Sequence, residues 1–127
     1  MDIDELIILL DKKKINIIKS TIARAKDKKY FNQYSSSSEE VIHMASNDTI
    51  EGLKIILETQ RYVIFKNKIK WFKSMIESRT SISVKEYIIE FILLLKSQIE
   101  ENFLKDERIN LVFNNMIYII NEEFEGR

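Results

Sequence analysis

The chain contains no proline and only two glycines, Gly52 and Gly126, in 127 residues. Tight turns consume glycine and proline, so a β-rich domain with its many turns is out of reach for this sequence. Long helices joined by polar caps remain. The expectation is an all-α fold, a single-domain helical bundle of four to five helices over residues 1–127. A chain of this length buries roughly two-thirds of its unfolded surface without disulfides or metals. Its 45% apolar and 31% charged residues suit a globular protein rather than a disordered one.

Apolar spacing and caps divide the chain into segments. Asp2 or Asp4 opens the first helix, because carboxylates favour a helix N-terminus. Its stripe is Ile3, Leu6, Ile7 and Leu10, and it resumes as Ile15, Ile18, Ile22 and Ala25 after Asp11, Lys12, Lys13 and Lys14. Either one helix bends at that charged patch or Asp11 caps a second one. Residues 34–38 read as the main loop, and Ser37 with Glu40 forms a capping box. A short helix follows with Val41, Ile42 and Ala45 inward, stopped by Ser46, Asn47 and Asp48. Residues 49–78 carry a helical pattern that only Gly52 opposes, with Ile50, Leu53, Ile56, Leu57, Ile64, Phe72 and Ile76 as an approximate stripe. This is one helix of about 45 Å or one kinked near Gln60 or Asn67. After a second loop at 80–83, Ser83 and Glu86 repeat the capping box ahead of Val84, Ile88, Phe91, Ile92, Leu95 and Ile99. Asp106 caps the last helix, whose stripe is Ile109, Val112, Phe113, Met116, Ile117, Ile120 and Phe124.

The inventory of reactive groups is short. Without cysteine there are no disulfides, thiolate metal sites or cysteine nucleophiles. His43 is the single histidine. Glu40 and His43 have the Glu-x-x-His spacing of carboxylate-bridged di-iron bundles, but those sites need two such motifs and two further carboxylates. Zinc sites built on histidine or cysteine fail for the same reason. There is no glycine-rich phosphate loop and no signature pairing a nucleophile with a histidine. The expectation is a non-enzyme with no catalytic residue, no metal and no cofactor. His43 with Asn47 one turn on resembles the phosphoacceptor helix of sensor kinases and implies a histidine phosphotransfer-like bundle. Met44 departs from that pattern, which has an acid at its position, so phosphotransfer stands third among the functional readings. The apolar runs at 7–10 and 91–95 fall short of the ~20 residues that cross a bilayer. The start of the chain, with Asp2, Asp4 and Glu5, lacks the basic region of a signal peptide. A soluble, cytoplasmic protein with no membrane insertion is expected.

Charge sums to zero, with 20 basic and 20 acidic residues, but its placement is uneven. Residues 61–85 hold Arg61, Lys66, Lys68, Lys70, Lys73, Arg79 and Lys85 against Glu77 alone, whereas residues 86–127 are predominantly acidic. Tyr62, Phe65, Trp71 and Phe72 are interleaved with these cations. Lys66, Lys70 and Lys73 share one helix face. Trp71 and Phe72 are adjacent and so about 100° apart, and both cannot face one core. The leading reading is a non-enzymatic protein–protein interaction module, such as a small regulator, adaptor, or immunity- or inhibitor-type protein. Its partner-binding residues are Tyr62, Phe65, Lys66, Lys70, Trp71, Phe72 and Lys73, the aromatics as anchors and the lysines steering an acidic partner. The alternative is a nucleic-acid-binding regulator using the same basic face. Helix faces this apolar also suit burial against a second copy, which makes a homodimer a further option.

Overall fold

A computed structural model describes residues 1–27, 38–77, 84–102 and 105–125. These residues form five α-helices: α1 Ile3–Asp27, α2 Ser38–Thr59, α3 Val63–Glu77, α4 Val84–Asn102 and α5 Glu107–Glu125. The fold is an all-α bundle, as the scarcity of turn residues requires. No helix among the described residues is long and apolar enough to cross a membrane.

Asp2 caps α1. Its Oδ1 accepts the Glu5 N–H at 2.8 Å, which satisfies one of the amides that a helix start leaves unpaired. That bond holds the Asp2 carboxyl below its ordinary value. α1 runs unbroken through the charged patch. Its buried face is Leu6, Leu10, Ile17, Ile18, Thr21 and Ala25, a correction to the expected stripe, since Ile15 is 67% exposed. The true stripe passes through Lys14 and Thr21, polar residues that an apolar pattern skips. Lys14 Nζ reaches Glu51 Oε2 at 3.2 Å, and the Thr21 hydroxyl donates to the Ile17 carbonyl at 2.7 Å. Each therefore sits on the inner side with its polar atom satisfied.

One boundary also differs from expectation, and one of the alternatives at Gln60 and Asn67 is selected. Ser46, Asn47 and Asp48 do not end a helix: α2 runs straight through them. Ser46 is fully buried, and the Thr49 hydroxyl bonds back to the Ala45 carbonyl at 2.7 Å. Cap-forming residues stay helical here because Ile42, Ile50 and Leu53 around them supply the burial. The long pattern over 49–78 breaks at residues 60–62 instead. Gln60 has φ 59°, and its N–H bonds to the Ile56 carbonyl at 2.7 Å. This is a left-handed helix cap at a position that usually belongs to glycine or asparagine. The Thr59 hydroxyl fastens the turn, donating to the Ile55 carbonyl at 2.8 Å and accepting the Arg61 N–H at 3.2 Å. The capping boxes of Ser37 with Glu40 and Ser83 with Glu86 lie partly outside the described residues. Asp106 caps α5 as expected, its Oδ1 accepting the N–H groups of Arg108 at 2.8 Å and Ile109 at 3.4 Å.

One buried apolar cluster draws on all five helices. α4 lies at its centre, with Ile88, Phe91, Ile92, Leu95 and Ile99 buried. Each such side chain contributes about 1.5–3 kcal/mol by leaving water. A polar lock fixes α1 against α4: Ser20 Oγ donates to Gln98 Oε1 at 2.8 Å, and Asn102 Nδ2 donates to Ser20 Oγ at 3.2 Å. α2 packs chiefly on α1, whereas α3 packs chiefly on α5 and α4. The short turn at 60–62 nevertheless joins α2 to α3. The two helices form an open hairpin, and the space between them is an apolar concavity.

An apolar groove between the second and third helices

The groove has a volume of about 290 Å³. On α2 it is walled by residues at helical spacing, Ala45, Asp48, Gly52 and Ile55, with Met44 at the rim. On α3 the wall is Ile64, Lys68 and Trp71, spaced i, i+4, i+7. Phe65, Ile69 and Phe72 make the floor together with Tyr87, Ile88 and Phe91 of α4. The rim is apolar and open to solvent: Met44 is 48% exposed, Ile64 47% and Trp71 55%. Isolated exposed apolar side chains are ordinary on protein surfaces, but a contiguous set around a concavity is the usual form of a binding site.

Polar groups are sparse. Lys68 Nζ lies 3.5 Å from Asp48 Oδ2 across the groove, one charge from each wall. Gly52 lies mid-helix, and a Cβ built there would meet nothing within 4 Å. No close approach within the chain therefore requires a glycine at this position. Among the described residues no His, Asp and Glu side chains group in a way that could hold a metal ion. His43 is exposed, beside Glu39, Glu40 and Ile22 in a separate shallow depression.

The seven residues that the sequence singles out fall into three groups. Phe65 and Phe72 lie in the groove floor; Phe72 stacks on Tyr87 with ring centroids 6.3 Å apart. Tyr62 and Lys73 are turned to α5. The Tyr62 hydroxyl accepts a bond from Asn115 Nδ2 at 2.9 Å, and Lys73 Nζ donates to the Glu123 carbonyl at 3.3 Å. The same ammonium sits 5.0 Å from the centre of the Phe124 ring, a cation–π contact. Lys66, Lys70 and Trp71 are exposed. Trp71 borders the groove, whereas Lys66 and Lys70 project from the outer side of α3, away from Ile64 and Lys68 by the 100° rotation per residue.

Several groove residues were not among those the sequence marks: Met44, Asp48, Gly52, Ile55, Ile64 and Lys68. The repeat of Ile64, Lys68 and Trp71 was the available signal. Its partner stripe on α2 could be matched to it only by knowing that the chain reverses at Gln60. No known protein family matches the chain, and neither a curated protein nor a solved structure does.

Proposed function

We propose that this chain is a non-enzymatic interaction module that binds another polypeptide in the groove between α2 and α3. The observation that carries this reading is the ring of solvent-facing apolar side chains, Met44, Ile55, Ile64 and Trp71, around an apolar floor. Left uncovered, that surface costs solubility and gives the fold nothing. Covered by an amphipathic segment, it supplies the buried aromatic centre typical of protein interfaces. Trp71 is the foremost anchor, flanked by Phe65 and Phe72 beneath it, and Lys68 orients the occupant from the rim. Lys66 and Lys70 contribute long-range attraction for acidic surfaces rather than direct contacts.

The test is capture from the native host with the wild-type chain and with Trp71→Glu and Ile64→Glu. Both side chains are about half exposed, so neither substitution should unfold the protein. A polypeptide retained by the wild type and lost from both variants supports the reading; an identical set of bound proteins contradicts it. Leu111→Glu, at an exposed site on α5, controls for non-specific charge effects.

One observation favours the alternative of nucleic-acid binding: Lys66 and Lys70 are exposed and have no acidic partner among the described residues. Binding to DNA or RNA with a steep salt dependence, abolished by Lys66→Glu together with Lys70→Glu, would select it. Unchanged binding in Trp71→Glu would then separate that face from the groove.

A further inference from the structure

We infer that the outward face of α3 is a docking surface for an anionic lipid bilayer, onto which the protein adsorbs without spanning it. The inference goes beyond the groove reading and does not rest on it. It starts from where the cations of α3 find partners. Lys73 is held at α5 by the Glu123 carbonyl and the Phe124 ring, and Lys68 lies 3.5 Å from Asp48. Lys66 and Lys70 are exposed and make no ion pair or side-chain hydrogen bond among the described residues. They stand four residues apart on one helix face, where like charges repel and lower helix stability. α3 has no acid in its first turn and none before Glu77, its last residue. Nothing among the described residues offsets this positive edge, although the chain as a whole has one acid for every base.

The positions between the lysines are neutral. At about 100° per residue, Val63, Ser74, Asn67, Trp71 and Ile64 fill a sector of about 100° on the solvent side of α3. Lys66 and Lys70 run along one edge of that sector, and Lys68 lies along the other. All of these residues are exposed, with Val63 at 58%, Trp71 at 55% and Ile64 at 47%. Phe65 and Ile69 are buried on the opposite side, which fixes the helix to the bundle with this sector outward. A helix that lies in a membrane interface has this arrangement. Its aliphatic and indole groups reach toward the acyl chains, and lysines at its edges extend on their methylene stems to the lipid phosphates.

Other partners match this face less well. A nucleic acid suits the cations and can stack a base on Trp71, but its phosphates offer nothing to Val63 and Ile64. A polypeptide seated in the groove touches Ile64 and Trp71 and leaves Val63, Lys66 and Lys70 uncovered, because these three do not line it. A bilayer meets the whole sector at once, as a plane laid along one side of a helix. The chain carries no net charge, so attraction to an anionic surface is local and this face sets the orientation. Each lysine near such a surface is worth about fivefold in partitioning, so Lys66 and Lys70 together supply more than about tenfold.

Co-sedimentation of the full chain with sucrose-loaded vesicles tests this. One set of vesicles is phosphatidylcholine alone, and the other is phosphatidylcholine mixed with phosphatidylglycerol. The expected result is binding to the anionic set only, weakening steadily as salt is raised. Emission from Trp71, the one tryptophan, should shift to the blue on those vesicles and become shielded from acrylamide. Lys66→Glu together with Lys70→Glu should lower partitioning by more than about tenfold. Val63→Glu should lower it several-fold, and helical circular dichroism should be unchanged in every variant. Equal binding to both vesicle sets, or binding to neither at low salt, overturns the inference. Binding that survives Val63→Glu and leaves Trp71 emission unmoved is electrostatic contact alone and overturns the seating of α3. A protein that ignores anionic vesicles yet binds duplex DNA through Lys66 and Lys70 overturns it in favour of nucleic acid. The groove reading is decided separately, because Val63→Glu leaves the groove walls intact and capture of a host polypeptide can be scored on the same protein.

Discussion

The rings of Phe72 and Tyr87 stack with centroids 6.3 Å apart and planes 15° from parallel. This pair ties α3 to α4 beneath the groove, while Trp71, the residue just before Phe72, stays half exposed at the rim. Adjacent positions on one helix therefore serve opposite ends, one holding the fold and the other facing an occupant. Phe72→Ala should lower stability by about 2 kcal/mol or more, since it removes ring burial and an aromatic contact. Trp71→Glu should change stability by less than about 0.5 kcal/mol, as exposed substitutions generally do. Urea denaturation of the two variants checks the contrast; comparable losses would mean that Trp71 is part of the core.

The ion cluster between α1 and α2 makes stability depend on pH. Lys54 Nζ lies 2.7 Å from Asp11 Oδ1 and 2.8 Å from Glu51 Oε2. The hydrogen bond from Lys54 is the main cause holding both carboxyls below their ordinary values, and the same contacts raise Lys54 above its own. A carboxyl depressed on folding stabilises the protein above its unfolded value, and that contribution is lost as pH falls through the folded value. A raised lysine stabilises below its unfolded value and loses this as pH rises through the folded one. Stability should therefore fall in acid, below the ordinary carboxylate range, and again in strong alkali. Lys54→Met should shrink the acid loss without abolishing it, because Asp2 and Asp106 are also held low by bonds of their own. Urea midpoints measured across pH for both proteins give the comparison. An unchanged acid limb in Lys54→Met would show that the cluster contributes nothing.

Ser46 is fully buried, and its hydroxyl has no hydrogen-bond partner in the structure. A buried hydroxyl without a partner loses its bonds to water and regains nothing. Ser46→Ala should stabilise the chain by about 1 kcal/mol. Equal or lower stability on urea denaturation would show that the hydroxyl is satisfied in solution.

Gln60 occupies the left-handed region at φ 59°. A side chain there costs about 1 kcal/mol relative to glycine. Gln60→Gly should therefore raise stability modestly despite the extra freedom it gives the unfolded chain. Gln60→Val should be clearly destabilising, because a β-branched residue is strained in this region. Melting midpoints in that order, glycine above wild type above valine, are the expected result.

How far the sequence revealed the molecule follows from where its signals are local. The α5 stripe was fully legible because Ile109, Val112, Phe113, Met116 and Ile120 are uninterrupted and all buried. The α1 stripe is obscured between Leu10 and Ala25 because Lys14 and Thr21 lie on the inner side with partners that spacing does not reveal. The break after α2 carries no glycine or proline, so its place is only one of two options in the sequence; the αL conformation of Gln60 is accompanied by hydrogen bonds to Ile56 and through Thr59 that residue type alone does not announce. The candidate site was half legible. Trp71, Phe65 and Phe72 were found by composition, but Met44 and Ile55 join them only once the hairpin closes. Lys66, Lys70 and Lys73 do share a face by spacing, yet Lys73 is drawn to Phe124 and Glu123, about fifty residues away in sequence.

Occupancy of the groove is read most directly from Trp71, the one tryptophan in the chain. Labelled as 5-fluorotryptophan, it gives a single ¹⁹F resonance that stays visible at high protein concentration and in host extract. In dilute purified protein the resonance should be narrow and should shift between H₂O and D₂O, as for an indole in contact with water. When membrane-free extract is added, it should move or broaden and lose that solvent shift as the groove fills. A resonance that keeps its position, width and solvent shift in that extract would contradict the assignment of this groove as the working surface of the protein.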